Sequence, residues 1–381
     1  MKLCIPCSWD SDLVEGLKKI NDGTKNIHEL YGSAQISIVG SGRPSGKLPE
    51  VSFAQIKEHI EFIHSSGFSF NYLLNAACLG GKEFEKKSAK EISDYLDQIA
   101  GLGADTVTVS NPYLIELIRK EYPSLKVKAG LFADVNSVNT AMHFDELGVD
   151  RITLGWNLNR NFNELKKIRR NVKAGLEVIV NLGCIYDCPM RYYHSRLTGH
   201  EAQKREDGQP PILVNYPPLK CAQKRIDSTE ELIKSPWIRP EDAGIYDDLG
   251  IEFFKIAGRT LPTGWILRCA GAYSEGRHDG NLLDLMEAAS IRLLSPFTGD
   301  KTPVSSVYHI DNQSLAGFID FFKEHECVGD CEVCGYCPDV TKKAVKITGD
   351  VEKYKAGLKD VLGNVVSKGF TETDIYHRLC P

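Results

Sequence analysis

Apolar and polar positions follow two periods along most of the chain. Short β-rich runs occur at KLCIP (2–6), IHELY (27–31), SFNYLLN (69–75), TVTVS (106–110), KVKAG (126–130), RITLG (151–155), EVIVNL (177–182) and EFFKIAG (252–258). Between them lie amphipathic helical patterns such as SDLVEGLKKI, SFAQIKEHIEFIHSSG, KEISDYLDQIAGLG and FNELKKIRRNVKAG. Several end in glycine, a common helix stop. Strands alternating with helices predict βαβ units and a parallel sheet. Eight such strands within residues 1–291 predict an α/β fold, a (β/α)8 TIM-like barrel. A doubly wound open sheet is the alternative, although no dinucleotide-type glycine fingerprint follows the first strand.

The rhythm breaks twice. Residues 183–237 separate the seventh strand from the helix opening at IRPEDAGIYDDLG, and a connection of that length is expected to be functional. In a barrel it lies over the C-terminal face, where active sites sit. After residue 291 a polar stretch, SPFTGDKTPVSS, leads into SLAGFIDFFKEH, CVGDCEVCGYC and a helical tail. The expected organisation is a barrel over 1–291 and a cysteine-bearing extension over 292–381.

Composition narrows the function classes. Of 381 residues, 42% are apolar and 25% charged, which suits a folded chain with a sizeable core. A net charge of −5 gives no bulk basic footprint for nonspecific nucleic-acid binding and leaves room only for a local patch. No run approaches the roughly 18 apolar residues of a membrane span. The start, MKLCIPCSWDSDLVEGLKK, carries acids early and does not read as a signal peptide. The expected location is cytoplasmic.

Twelve cysteines change the picture, because in a reducing compartment clustered thiols point to metal or redox chemistry rather than disulfides. Cys184 and Cys188 directly follow the seventh strand, Cys221 lies in the same long connection, and Cys269 follows the eighth. In a closed barrel strands seven and eight are neighbours, so these four are expected to converge at the top face. Four thiolates suit a 4Fe–4S cluster or structural zinc. The scattered spacing, with three, 32 and 47 intervening residues, is unlike a compact zinc knuckle and fits a cluster facing a cavity. Four unrelated buried thiols are the remaining alternative. Cys327, Cys331, Cys334 and Cys337 are spaced by three, two and two residues and form the stronger ligand signal. A second 4Fe–4S cluster is expected there, with zinc next, either relaying electrons or holding the extension together. The first three also read CxxxCxxC, the radical S-adenosylmethionine signature, which that family places after its first barrel strand. Cys4, Cys7, Cys78 and Cys380 read as buried or incidental thiols, although Cys7 and Cys78 lie where they could face the site.

GSGRPSGKLPE, FNYLLNAACLG, NLGCIYDCPMRYYH, IRPEDAGIYDDLGIEFFKIAGR and AYSEGRHDGNLLDLM resemble the collagenase-like peptidases of family U-32, a resemblance running over about residues 1–340. It implies a barrel with a 4Fe–4S cluster on four cysteines. Members include proteins for oxygen-independent hydroxylation of ubiquinone precursors and of RNA bases, and others named as peptidases. CIYDCPMRYYH stands where that family places an acid followed by a glycine- and serine-rich cysteine segment, so the chain resembles a divergent branch.

Around this face the sequence offers a polar set. Asn71 and Asn75 share one side of the third strand. Asn111 follows strand four, Asn157 and Arg160 follow strand six, and Asn181 ends strand seven. Lys255 and Arg259 belong to the eighth strand and its exit. GSGRPSG (40–46) would let backbone amides approach an anion, with Arg43 as counter-charge. His194 is the acid–base candidate. Catalytic roles are therefore expected for His194, Lys255 and Arg259, and substrate contacts for Arg43, Asn71, Asn75 and Asn181. The leading expectation is an iron–sulfur redox enzyme performing oxygen-independent hydroxylation or a related oxygen- or sulfur-atom transfer. Its substrate would be a small molecule or nucleobase, with an electron-donor protein and a hetero- or homodimer as partners. The alternatives are a peptidase, for which no G-x-S-x-G or H-E-x-x-H motif is present, and a non-catalytic iron–sulfur subunit of a complex.

Overall fold

The computed structural model describes residues 1–204, 216–287, 307–327 and 329–368. Eight parallel strands close into a barrel in sequence order. They are β1 (Lys2–Pro6), β2 (Ile27–Gly32), β3 (Ser69–Leu74), β4 (Thr106–Val109), β5 (Lys126–Ala129), β6 (Arg151–Thr153), β7 (Gly175–Ile179) and β8 (Phe253–Lys255). All eight strand runs read from the sequence are strands here; β1 keeps its bounds, β2 runs one residue longer, and the other six end one to three residues earlier, where the chain turns into the mouth loops. The outer ring begins with α1 (Ser11–Thr24), α2 (Phe53–Ser65), α3 (Lys86–Ala100), α4 (Pro112–Glu121), α5 (Val138–Glu146) and α6 (Phe162–Asn171). The starts follow local rules: Ser52 and Gln55 form a capping box on α2, and Asn111 caps α4 with Pro112 at its first turn. Ile56, Ile60 and Ile63 recur at helical spacing and bury against the barrel wall.

The 183–237 connection is not one open loop. It carries α7 (Arg191–Glu201), α8 (Tyr216–Asp227) and α9 (Glu230–Lys234), then leads to α10 (Ala243–Asp248). After β8, α11 (Thr263–Glu275) packs on α1 and β1 and completes the ring.

The extension is tied to the barrel. Strand Tyr308–Ile310 pairs antiparallel with Val345–Ile347, helix Tyr336–Ala344 packs on α9, and helix Val351–Lys368 packs on α8. Phe318 meets Trp237, from the segment after α9, at 5.3 Å between ring centroids. The expected division at 291/292 falls outside the described residues. Among the described residues no helix is long and apolar enough to cross a membrane.

A TIM barrel is usually filled with branched apolar side chains. Here the middle layer is ionic. Period-two alternation turns Glu29 of β2, Asn71 of β3, Thr108 of β4, Lys128 of β5, Arg151 and Thr153 of β6, and Glu177 of β7 inward. Lys128 Nζ reaches Glu177 at 2.9 Å and Glu29 at 3.3 Å, and Arg151 Nη1 reaches Glu29 at 2.8 Å and Glu177 at 3.4 Å. Asn71 donates to Glu29 and accepts from Thr108, while Thr153 donates to Glu177. Burial alone would push both carboxyls up, but Lys128 and Arg151, joined at Glu177 by Lys255, outweigh it and hold them well below the usual carboxylate range. Cys4, Glu29 and Glu177 stand close enough to share a metal ion, yet the two cations already occupy the carboxylates.

Candidate active site at the barrel mouth

Above this layer a cavity of about 230 Å³ opens at the C-terminal ends of the strands. Cys184, Cys188 and Cys221 lie on one wall, with Lys255, Arg259 and Arg43 on another. His194, Asn75, Trp156 and Glu287 also line it.

The cysteine wall comes from the chain leaving β7. Asp187 takes a left-handed backbone (φ 47°), and its N–H donates to Asn157 Oδ1 at 3.3 Å, so the segment turns sharply between Cys184 and Cys188. Cys221 arrives on α8. One helical turn later Arg225 donates Nη1 to Cys221 Sγ at 3.1 Å. Burial pushes the Cys184 thiol up to about 12, the neighbouring Cys221 and Cys188 add to this, and Arg225 opposes it. Cys188 is raised in the same way, by burial first and with Cys221 contributing.

Cys269 is not part of this wall. It lies fully buried on α11, where its Sγ faces the Leu285 carbonyl at 3.6 Å, and it does not line the cavity. The expectation that all four cysteines meet is therefore corrected to three. Lying fourteen residues beyond the end of β8, Cys269 falls in the helix that covers the barrel, not in the loop above it. Cys7 and Cys78 do not line the cavity either, and each thiol accepts a nearby backbone N–H, from Trp9 and Gly80 respectively. Cys380 lies outside the described residues.

The cationic wall has few counter-charges. Arg259 is buried and donates to Ser33 Oγ at 2.7 Å and Ser41 Oγ at 3.5 Å. Burial, with Arg43 nearby, lowers it to about 10, so it stays charged at neutral pH. Lys255 Nζ stands 3.9 Å from the centre of the Tyr31 ring. Burial and then Lys128 lower it to about 7. Arg43 reaches Glu287 at 3.4 Å. Its loop lies tight against the mouth: a Cβ on Gly42 would fall 2.8 Å from the Phe132 ring, and Gly40 has φ 78°. Asn75 accepts the Gly42 N–H at 3.1 Å, fixing that loop. Burial, with Arg43, lowers His194 to about 4, so it enters neutral chemistry as an uncharged imidazole.

Two expected substrate contacts fall elsewhere. Asn71 points inward but one layer too deep, inside the ionic network. Asn181 is fully buried and spends its amide on the backbone, donating to Ala257 and Leu285 and accepting from Ala257. Neither lines the cavity. Sequence reading missed Tyr31, Trp156, Arg225 and Glu287 at the mouth. Only Arg225 carried a usable signal, its position four residues after Cys221 on a helix.

The second cysteine group lies on the extension, with Cys334 exposed and Cys327, Cys331 and Cys337 partly buried. Cys331–Cys334 forms a short helical turn, and Gly335 takes φ 67° before the next helix. Cys337, pushed up to about 11 by burial first, also feels Cys331, Cys327 and Cys334.

Comparison with known proteins places this architecture. A family model described as peptidase family U32 matches residues 46–279. A protein named uncharacterized protease MJ1657, of Methanocaldococcus jannaschii, is 34% identical over 335 residues, covering 88% of this chain and 94% of that one. A Haemophilus influenzae protein named tRNA hydroxylation protein P is 22% identical, covering 85% of this chain and 65% of its own length. The solved structure of the U32 peptidase Mk0906 is similar with a TM-score of 0.51 at 21% identity, over 69% of this chain and 94% of that chain. The chain belongs to peptidase family U32.

Proposed function

We propose that this chain is an iron–sulfur redox enzyme that carries out oxygen-independent hydroxylation, or a related oxygen- or sulfur-atom transfer, on an anionic substrate at the barrel mouth. The observation that carries the reading is the placement of Cys184, Cys188 and Cys221 on one wall of a cavity whose other wall is cationic. Three thiols lining one cavity, one of them bonded to the Arg225 guanidinium, fit an anionic 4Fe–4S cluster. Such a cluster would supply electron transfer and, with three protein thiolates, an iron position left to a non-protein ligand. Arg259 and Arg43 would bind the substrate's anionic group, and Tyr31 and Trp156 would pack on its apolar part. Lys255, lowered to about 7, would hold or release a proton at Nζ, with neutral His194 as a hydrogen-bonding partner. The resemblance to the tRNA hydroxylation protein supports the reaction class. The family name suggests a peptidase, but no hydrogen bond joins His194 to any of the three thiols, and a cysteine nucleophile needs such a base.

The test is anaerobic purification with iron and sulfide quantification on the wild type, Cys188→Ala and Cys269→Ala. Cys188→Ala is expected to lose about four irons, one cluster's worth, while Cys269→Ala keeps its full complement. Iron unaffected by Cys188→Ala would remove the basis of this reading.

A further inference from the structure

Lys255 is the last residue of β8 and is held on both sides, pairing with Cys4 of β1 and Ile179 of β7. Its carbonyl accepts the Val180 N–H at 3.0 Å, and the next residue, Ile256, donates to the Cys4 carbonyl at 3.0 Å. The barrel wall, not a loop, therefore fixes where the side chain starts. The residue is 8% exposed and lines the mouth cavity. Cys4, Tyr31, Leu73 and Phe253 form an apolar cluster inside the barrel. The Tyr31 ring, anchored by its hydroxyl on the Ile256 carbonyl at 2.6 Å, stands 3.9 Å from Lys255 Nζ. No carboxylate lies within 4.0 Å of Nζ among the described residues, whereas Lys128 in the layer below has two. Burial and then Lys128 act against its charge, Glu177 opposes them, Arg259 adds to them and Cys4 opposes; the amine is lowered to about 7. A desolvated lysine beside other cations is the state in which an amine becomes a nucleophile. Four residues on, the Arg259 guanidinium lines the same cavity, and Arg43 faces it from the 40–46 loop.

We propose that Lys255 Nζ is a Schiff-base-forming nucleophile, and that the substrate taken at the mouth is a small oxo acid whose carbonyl meets Nζ while its carboxylate sits on Arg259 and Arg43. The proposal rests on the proposed function only for an anionic substrate at this mouth; bond formation at Nζ needs no iron. The Nζ lone pair forms a C–N bond to the carbonyl carbon, and one Nζ proton passes to the carbonyl oxygen. That oxygen takes a second proton from solvent and leaves as water. The product is an iminium that keeps one N–H, and nothing is oxidised or reduced. The iminium draws electrons from the carbon beside it, whose C–H becomes acidic, and addition of water later returns the free amine. The amine that would move a proton in the proposed function thus also holds the substrate covalently.

The test incubates the full chain, purified anaerobically, with pyruvate and sodium cyanoborohydride at pH 7 and maps the modified lysines by mass spectrometry. Cyanoborohydride gives a hydride to the iminium carbon and makes the bond permanent. Lys255 is expected to gain the mass of pyruvic acid less one oxygen atom. Its labelling should exceed that of Lys47, an exposed lysine lining the same cavity, by at least about tenfold. Arg259→Leu should lose most of the pyruvate label at Lys255 and keep the label left by propanal, a neutral carbonyl compound. Lys255→Arg, which keeps a positive charge, should remove the label at this position with both reagents and leave that at Lys47. Label on wild-type Lys255 no greater than on Lys47 overturns the proposal, and that comparison needs no variant to fold. Equal pyruvate labelling of Lys255 in the wild type and Arg259→Leu overturns the oxo-acid assignment. Label at Lys255 in protein that holds no iron would sink the proposed function while leaving the Schiff base standing, and iron with no label would do the reverse.

Discussion

In the middle of the barrel Lys128 and Arg151 are matched by Glu29 and Glu177, whereas at the mouth Lys255 and Arg259 have no carboxylate within 4.0 Å among the described residues. Both layers are buried, and both are built from strand or strand-end residues pointing inward. The difference lies in compensation. A cation whose partners are all supplied by the fold is part of the fold, and its hydrogen bonds leave nothing to offer a ligand. A cation buried without a counter-ion is held there by the rest of the structure and gains most when an anion arrives. The mouth, not the equally charged centre, is therefore where substrate is expected.

The sharpest way to break this contrast is to unbalance the centre. Lys128→Met would leave two buried carboxylates with one cation, and breaking a buried pair from one side costs about 3–5 kcal/mol. Against a typical total stability of about 5–15 kcal/mol, that loss is readily seen in urea denaturation. A cost below about 1 kcal/mol would mean that the centre is not the tightly matched layer described here.

The barrel was legible because its signal is repeated: eight β-rich runs with helical patterns between them leave few alternatives. The centre's charges were also visible, as single Glu, Lys and Arg residues inside strand-like runs such as KVKAG. They escaped attention because alternation alone does not say whether the odd positions face the interior or the helices. Depth was the harder problem. Asn71 and Asn75 share a side of β3, yet only Asn75 reaches the cavity. Cys269 failed for a related reason, since distance in sequence from a strand end does not reveal that a covering helix has already begun. The cysteines that follow β7 at once, Cys184 and Cys188, had no such ambiguity.

Lys255 sharpens the comparison through pH. Its folded value of about 7 lies below the roughly 10.4 of an unfolded lysine. Below pH 7 the group is charged in both states, and the cost of burying it is felt in full. Between pH 7 and about 10 the folded state has released the proton while the unfolded state still binds it. Stability should therefore rise with pH across that window, by at most about 1.4 kcal/mol per unit. Measured as the difference between wild type and Lys255→Met, so that other titrations cancel, the wild type should gain between pH 7 and pH 9. A flat difference would show that Lys255 keeps its proton in the fold and is no neutral-pH acid or base.

The smallest expected change in stability belongs to Arg259. Its two hydroxyl partners, Ser33 and Ser41, remain able to bond to other groups when it is removed, and its burial is uncompensated. Arg259→Leu should leave folding stability within about 1 kcal/mol of wild type, in contrast to the Lys128 substitution. The anion response should separate the two proteins. A ligand that binds only the folded state raises stability by RT ln(1 + [L]/Kd). At constant ionic strength, sulfate should therefore raise the melting temperature of the wild type and leave Arg259→Leu unmoved. A large loss of stability in Arg259→Leu without sulfate would place Arg259 with the matched charges of the centre, and the division between a structural layer and a binding layer would fail at the residue on which it most depends.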